Sequence, residues 1–179
     1  QWQLLRNQLP SKVNHYWSLS KVQQFNLEPI RNALSALGLT DARAAGRLCE
    51  TLADEGSVIF LRQKFAPELV TALARIEGRP VGVIANNTMV MAGAITAAAS
   101  DKAARFLQLC DAFGIPVVSL VDCPGFMVGP AAEAEALVRR GSRLLVAGAA
   151  LRVPLIAVIL RRGYGLGAQA MCGGSLHEP

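Results

Sequence analysis

Apolar residues in the second half of this chain fall into short unbroken runs separated by amphipathic stretches. Val81–Ala85, Ile115–Val121 and Val153–Leu160 are runs with almost no polar residue and read as buried strands. Between them apolar residues recur three and four apart, the period of a helix. Ser100 stands as N-cap of a helix over Asp101–Phe113, stopped by Gly114. Ala131–Leu151 reads as one long helix with Ala134, Leu137, Val138, Leu144, Leu145 and Leu151 on one side. Strand–helix–strand–helix–strand, with strands apolar on both faces, predicts an α/β fold whose parallel sheet is covered by helices.

The first half is less regular. Ile30–Leu37 is a short helix stopped by Gly38. Thr40 caps a second over Asp41–Glu55, closed by Gly56, with Ala45, Leu48, Cys49 and Leu52 on one face. Ser57–Leu61 is a β-branched strand candidate. Leu69–Ile76 suits a helix or a buried strand equally, and Glu77-Gly78-Arg79-Pro80 after it is a turn signal. Residues 1–30 are Gln-rich and broken by Pro10 and Pro29, with one helix expected at Leu19–Leu27. The organisation expected is a helical extension or linker over 1–50 and one domain over 51–179.

Composition narrows the class. The 179 residues are 52% hydrophobic and 17% charged, which excludes a disordered chain. No apolar run approaches the roughly 18 residues of a membrane span. The N-terminal residues lack the pattern of a signal peptide, so a cytoplasmic protein is expected. The first residue is Gln, which suggests processing or a fragment. Cys49, Cys110, Cys123 and Cys172 form no C-x-x-C pair, and with His15 and His177 they make a poor zinc set. Reduced, buried thiols are the reading. Formal charge is +5, and Arg139, Arg140, Arg143, Arg152, Arg161 and Arg162 fall in one stretch. They suit a small polyanion or solvated helix faces. The few aromatic residues do not interleave with them as a nucleic-acid platform would.

Ligands of parallel sheets bind outside the carboxyl ends of the strands. Two unusual segments lie there, 122–129 and 163–168. Asp122-Cys123-Pro124-Gly125 matches D-x-x-G, but no Gly in the chain is followed by Lys, so a P-loop nucleotidase is excluded. Gly163-Tyr164-Gly165-Leu166-Gly167-Ala168 contains G-x-G-x-x-A, yet it stands near the end of the chain and lacks the acidic residue about 20 positions on that a dinucleotide site needs. No G-x-S-x-G is present, and no Ser has an obvious His partner. Another use of such a turn remains. Main-chain N–H groups at a helix start can hold a developing negative oxygen, provided small residues let the ligand approach. Gly165-Leu166-Gly167-Ala168 meets that need; a tight strand-to-helix turn is the structural alternative.

Three blocks carry a family resemblance: GRPVGVIANN (78–87), SDKAARFLQLCDAFGIPVVSLVDCPGFMVG (100–129) and VPLIAVILRRGYGLGAQAM (153–171). From about Leu52 to His177 the chain resembles the C-terminal, crotonase-like domain of the carboxyltransferase component of biotin-dependent acyl-CoA carboxylases. The resemblance implies a ClpP/crotonase-like β-β-α spiral, incomplete here, and makes 69–76 a strand in a hairpin. It implies transfer of a carboxyl group from carboxybiotin to the α-carbon of an acyl-CoA, without a metal for this half-reaction and without a side-chain nucleophile. Backbone amides of the glycine-rich loop would hold the ureido oxygen of biotin: Leu166 and Gly167, or Gly167 and Ala168 if the register shifts by one. Pro124, Gly125, Phe126, Gly129, Tyr164 and Gly165 would line the same cleft, and Cys123 would be a bystander. The implied partners are acyl-CoA, a biotin carboxyl carrier domain, biotin carboxylase and further copies of the crotonase-like domain; neither nucleic acid nor membrane is expected. The hole for the thioester enolate belongs to a domain this chain lacks, so the chain alone is expected to have little or no transferase activity. Biotin-dependent decarboxylases share the chemistry in reverse, and a non-catalytic assembly module shares the fold.

Overall fold

A computed structural model of the chain describes residues 45–175. The helices expected at Leu19–Leu27 and Ile30–Leu37, the cap at Thr40, and both histidines lie outside the described residues. In chain order the elements are α1 (Ala45–Leu52), β1 (Ile59–Leu61), β2 (Leu69–Ile76), β3 (Arg79–Asn86), α2 (Ala97–Ala112), β4 (Val117–Cys123), α3 (Pro130–Ala134), α4 (Leu137–Ala149), β5 (Leu155–Gly163) and α5 (Gly165–Met171), with 3-10 turns at Met91–Gly93 and Gly173–Ser175. The five strands form one sheet in sequence order. β1, β2 and β3 pair antiparallel; β3, β4 and β5 pair parallel.

The ambiguous segment 69–76 is strand β2. Glu77 and Gly78 have φ of +52° and +76°, the left-handed pair that a two-residue hairpin loop with the right twist requires. The Asp54 carboxylate accepts both of their N–H groups, at 2.9 and 2.7 Å. That hairpin supplies the two β segments; the two helical crossovers to β4 and β5 supply the α layer.

Period-2 alternation along the strands divides the core. Ile84, Val117 and Val121 face α2, α4 and α5, whose Leu107, Leu144, Ala168 and Met171 pack on that side. Ala72, Val81, Val83, Ala85 and Leu120 face the other way and receive Ala45, Leu48 and Cys49 of α1. The boundary expected near residue 50 falls inside α1.

Four expectations need correction. The helix over Asp41–Glu55 ends at Leu52, because Asp54 is drawn to the hairpin turn. α2 starts at Ala97, capped by Thr96, whose hydroxyl accepts the Ala99 N–H at 3.0 Å. Ser100 is inside the helix, fully buried, with its hydroxyl on the Thr96 carbonyl at 2.8 Å. The long helix over Ala131–Leu151 is broken at Ala136, which is left-handed at φ +57°. The break resets the helical face, so Leu137, Gly141, Leu144 and Gly148 point inward while Val138 is exposed. Among the described residues β5, expected to be covered on both faces, is an edge strand and is only half covered; its Ile159 is exposed.

Candidate functional site

The carboxyl ends of β4 and β5 are brought level by a bulge. Their register runs to Val121↔Ile159 and then shifts so that Cys123 pairs with Gly163. The Tyr164 N–H donates to the Cys123 carbonyl at 3.0 Å. The two segments singled out in the sequence therefore leave the sheet side by side. They then touch: a Cβ added to Gly167 would lie 2.7 Å from the Gly125 carbonyl carbon and 2.9 Å from the Phe126 nitrogen. Gly167 is glycine because backbone packs on backbone there. Ile95 fixes the first segment from the other side. Its N–H donates to the Gly125 carbonyl at 3.0 Å, and its carbonyl accepts the Met127 N–H at 2.9 Å.

The glycine-rich loop expected over Gly163–Gly167 is shorter than the pattern suggests. Gly163 ends β5, and Gly165, Leu166 and Gly167 are the first three residues of α5. The first amides of any helix have no partner within it. Accordingly, the Ala168 N–H closes the first turn onto the Tyr164 carbonyl at 3.3 Å, while those of Leu166 and Gly167 meet no acceptor among the described residues. Tyr164 and Leu166 are exposed, whereas Gly167 and Ala168 are buried. Pro124, Gly125 and Phe126 adjoin this turn. Gly129, at φ +111°, forms the turn into α3, and its carbonyl accepts the Glu133 N–H.

Beneath these segments Asp122 is fully buried. Its carboxylate accepts Arg161 Nη2 at 3.0 Å and Arg162 Nε at 2.9 Å. Arg162 Nη2 continues to the Ala92 carbonyl at 2.8 Å. The Asp122 N–H donates to Asn86 Oδ1 at 3.2 Å, and Asn86 Nδ2 donates to the Gly93 carbonyl at 3.0 Å. Asp122 thus joins strands rather than facing a metal, as D-x-x-G had invited. The arginine stretch is likewise not one anion patch. Arg140 and Arg143 pair with Asp101, Arg152 with Asp111, and Arg161 and Arg162 with Asp122.

Cys123 is buried against the Gly125 carbonyl, and burial pushes its thiol above the ordinary range. Burial likewise raises Cys49 to about 12 and Cys110 to about 11. All four thiols are free and are poor nucleophiles at neutral pH. Among the described residues no three His, Cys, Asp or Glu side chains converge as metal ligands, and no helix is long and apolar enough to cross a membrane.

One cluster carried no sequence signal. Lys102 is buried on α2, with Nζ donating to the carbonyls of Phe65, Ala66 and Leu69 at 2.8, 3.2 and 2.6 Å. The buried Glu68 carboxylate accepts the Thr96 hydroxyl. Together they pin the β1–β2 connection onto α2, beside a cavity of about 340 Å³ between α1 and β2.

Residues 39–178 match the family described as the carboxyl transferase domain. The chain is 48% identical over 126 residues to a propionyl-CoA carboxylase beta chain from Saccharopolyspora erythraea, covering 70% of this chain and 23% of that one. It superposes on a single-chain, multi-domain long-chain acyl-CoA carboxylase with a TM-score of 0.71 and 58% identity, over 72% of this chain and 13% of that one. With a transcarboxylase 12S hexamer the TM-score is 0.72 at 39% identity, over 80% and 28%. The chain spans about a quarter of the length of the curated relatives it matches.

Proposed function

The chain belongs to the carboxyl transferase family, and on that premise we propose that it forms the carboxybiotin-facing half of an acyl-CoA carboxyltransferase site. Its crotonase-like β-β-α architecture supports this. The observation that carries the reading is the pair of amides at Leu166 and Gly167 that meet no acceptor among the described residues, set where Gly125 and Gly167 bring two backbones into contact. A ureido oxygen fits such a donor pair. It needs two N–H groups at a helix start and a lining small enough to let a planar ring reach the main chain.

Carboxybiotin arrives as a substrate on a carrier domain and supplies the transferable carboxyl group. As that group departs, negative charge gathers on the ureido oxygen. The N–H groups of Leu166 and Gly167 donate to it, with the start of α5 adding its fixed dipole. Losing one such donor elsewhere costs roughly 10²–10³ in rate. That the Ala168 amide already serves Tyr164 supports Leu166–Gly167 over the shifted register. In this reading Pro124, Gly125 and Phe126, with Gly129 farther along the same segment, line the cleft beside Tyr164, Gly165 and Leu166. No side chain need act as nucleophile, and Cys123, buried and protonated, stands aside.

The acceptor is the α-carbon of an acyl-CoA, whose enolate is held by a second crotonase-like domain. The working unit is therefore an oligomer of such domains, served by a biotin carboxyl carrier domain and biotin carboxylase in the cytoplasm.

Calorimetric titration with biotin methyl ester tests the reading. The chain should bind it saturably. Leu166→Ala, which keeps the amide, should bind within a few-fold, and Leu166→Pro, which removes the N–H at a helix position that tolerates proline, should not. Equal binding by both variants, or none by the parent chain, overturns the proposal.

A further inference from the structure

We propose that Asp122 is a positioning residue: a closed ring of hydrogen bonds through Asp122, Arg162, the 91–93 turn and Asn86 fixes the Pro124–Phe126 segment against the Tyr164–Gly167 segment. The inference rests on the preceding reading only for its effect on biotin.

The ring closes on itself. From the Asp122 carboxylate it passes through Arg162 to the Ala92 carbonyl, along the chain to the Gly93 carbonyl, through the Asn86 amide, and back to the Asp122 N–H. Asp122 is 0% and Asn86 1% exposed. A carboxylate taken so far from water is costly unless fully paired, and an apolar residue would join two strands at no such cost. What the charge adds is direction. It accepts two guanidinium groups from β5, those of Arg161 and Arg162, three and two residues before Tyr164, while Asp122 itself stands two before Pro124.

The third member of the ring is strained. Met91 and Ala92 are left-handed at φ +47° and +53°, followed by Gly93 at +80°. Such conformations cost non-glycine residues energy and persist only when their surroundings hold them. The Arg162 and Asn86 contacts do so, and Gly93 sits against Asp122 itself, where an added Cβ would come within 2.9 Å of the Asp122 carbonyl oxygen. The turn delivers Ile95, which grips the carbonyl of Gly125 and the N–H of Met127. One carboxylate therefore governs both flanks of the Gly125–Gly167 contact, and through it the separation of the two amides from the Pro124–Phe126 segment.

Residue-resolved amide hydrogen exchange on the 179-residue chain tests this, with biotin methyl ester titration in parallel. In Asp122→Asn and in the milder Arg162→Lys, exchange should accelerate about tenfold or more at Ile95, Met127 and Tyr164, with the amides of β2 and β3 unchanged. Affinity for biotin methyl ester should fall by a similar factor. Should Asp122→Asn fail to fold, Arg162→Lys decides. Unchanged exchange at the three reporters, or a uniform rise across the sheet, overturns the positioning role. Local acceleration in a chain whose parent binds no biotin methyl ester supports the ring and overturns the functional reading instead.

Discussion

Gly125 and Gly167 are 42 residues apart and meet main chain to main chain: a methyl group on Gly167 would sit 2.7 Å from the carbonyl carbon of Gly125. No side chain mediates the contact. It joins the segment after β4 to the first turn of α5, and the amides of Leu166 and Gly167 stand beside it.

Gly167→Ala forces that contact apart. Overpacking of this kind costs about 1–3 kcal/mol, and the displaced turn carries the Gly167 amide with it. Urea unfolding should show the loss of stability, and calorimetry should show biotin methyl ester binding abolished. A variant that keeps full affinity would mean the contact is irrelevant to the site.

Cys123 lies in the same corner yet does no chemistry in this scheme. Cys123→Ala should bind biotin methyl ester within about twofold of the parent, since the thiol's bond to the Gly125 carbonyl, at 3.6 Å, is weak. Alkylation of Cys123 in the folded chain at pH 7 should be far slower than in urea, because burial raises its pKa.

Lys102→Met removes three hydrogen bonds at once and takes the ammonium away from the carbonyls of Phe65, Ala66 and Leu69, of which Ala66 keeps the Leu69 N–H at 3.1 Å. Stranding buried polar groups in this way should destabilise the chain by about 2–4 kcal/mol. Chemical denaturation measures the loss, and proteolysis should find the 62–68 segment first.

Acid should unfold the chain by way of two aspartates. Burial alone would raise the pKa of Asp101, but hydrogen bonds from Arg143 and Arg140 outweigh it and hold it below 3.8. The Arg152 N–H and guanidinium hold Asp111 below 3.8 in the same sense. A depressed carboxylate contributes stability that is complete above its unfolded pKa and is lost as pH falls through the folded one. Stability should therefore be flat from neutral pH to about 5 and decline below about 4. Asp101→Asn and Asp111→Asn should each flatten that decline in pH-dependent melts.

Much of this was legible because the information is local. The apolar runs at 81–85 and 115–121, the turn at Glu77-Gly78 and the two peculiar segments after β4 and β5 all announce themselves within a few residues. The misreadings are tertiary. Ser100 reads as a cap because a sequence does not show that Ala97–Ala99 already belong to the helix that Thr96 starts. Ala136 carries no breaker signal; the helix breaks there to turn Leu137 and Gly141 inward. Arg161 and Arg162 looked like part of a basic surface because their partner, Asp122, stands some 40 positions away. The resemblance, carried by three ordered blocks, decided between helix and strand at 69–76, where periodicity could not.

Strand β5 leaves one flank of its peptide ladder open among the described residues, and Ile159 lies bare upon it. Unsatisfied donors and acceptors in a row are a template for any extended peptide that drifts past. At high concentration the polypeptide thus carries a built-in route to edge-to-edge clumping through β5.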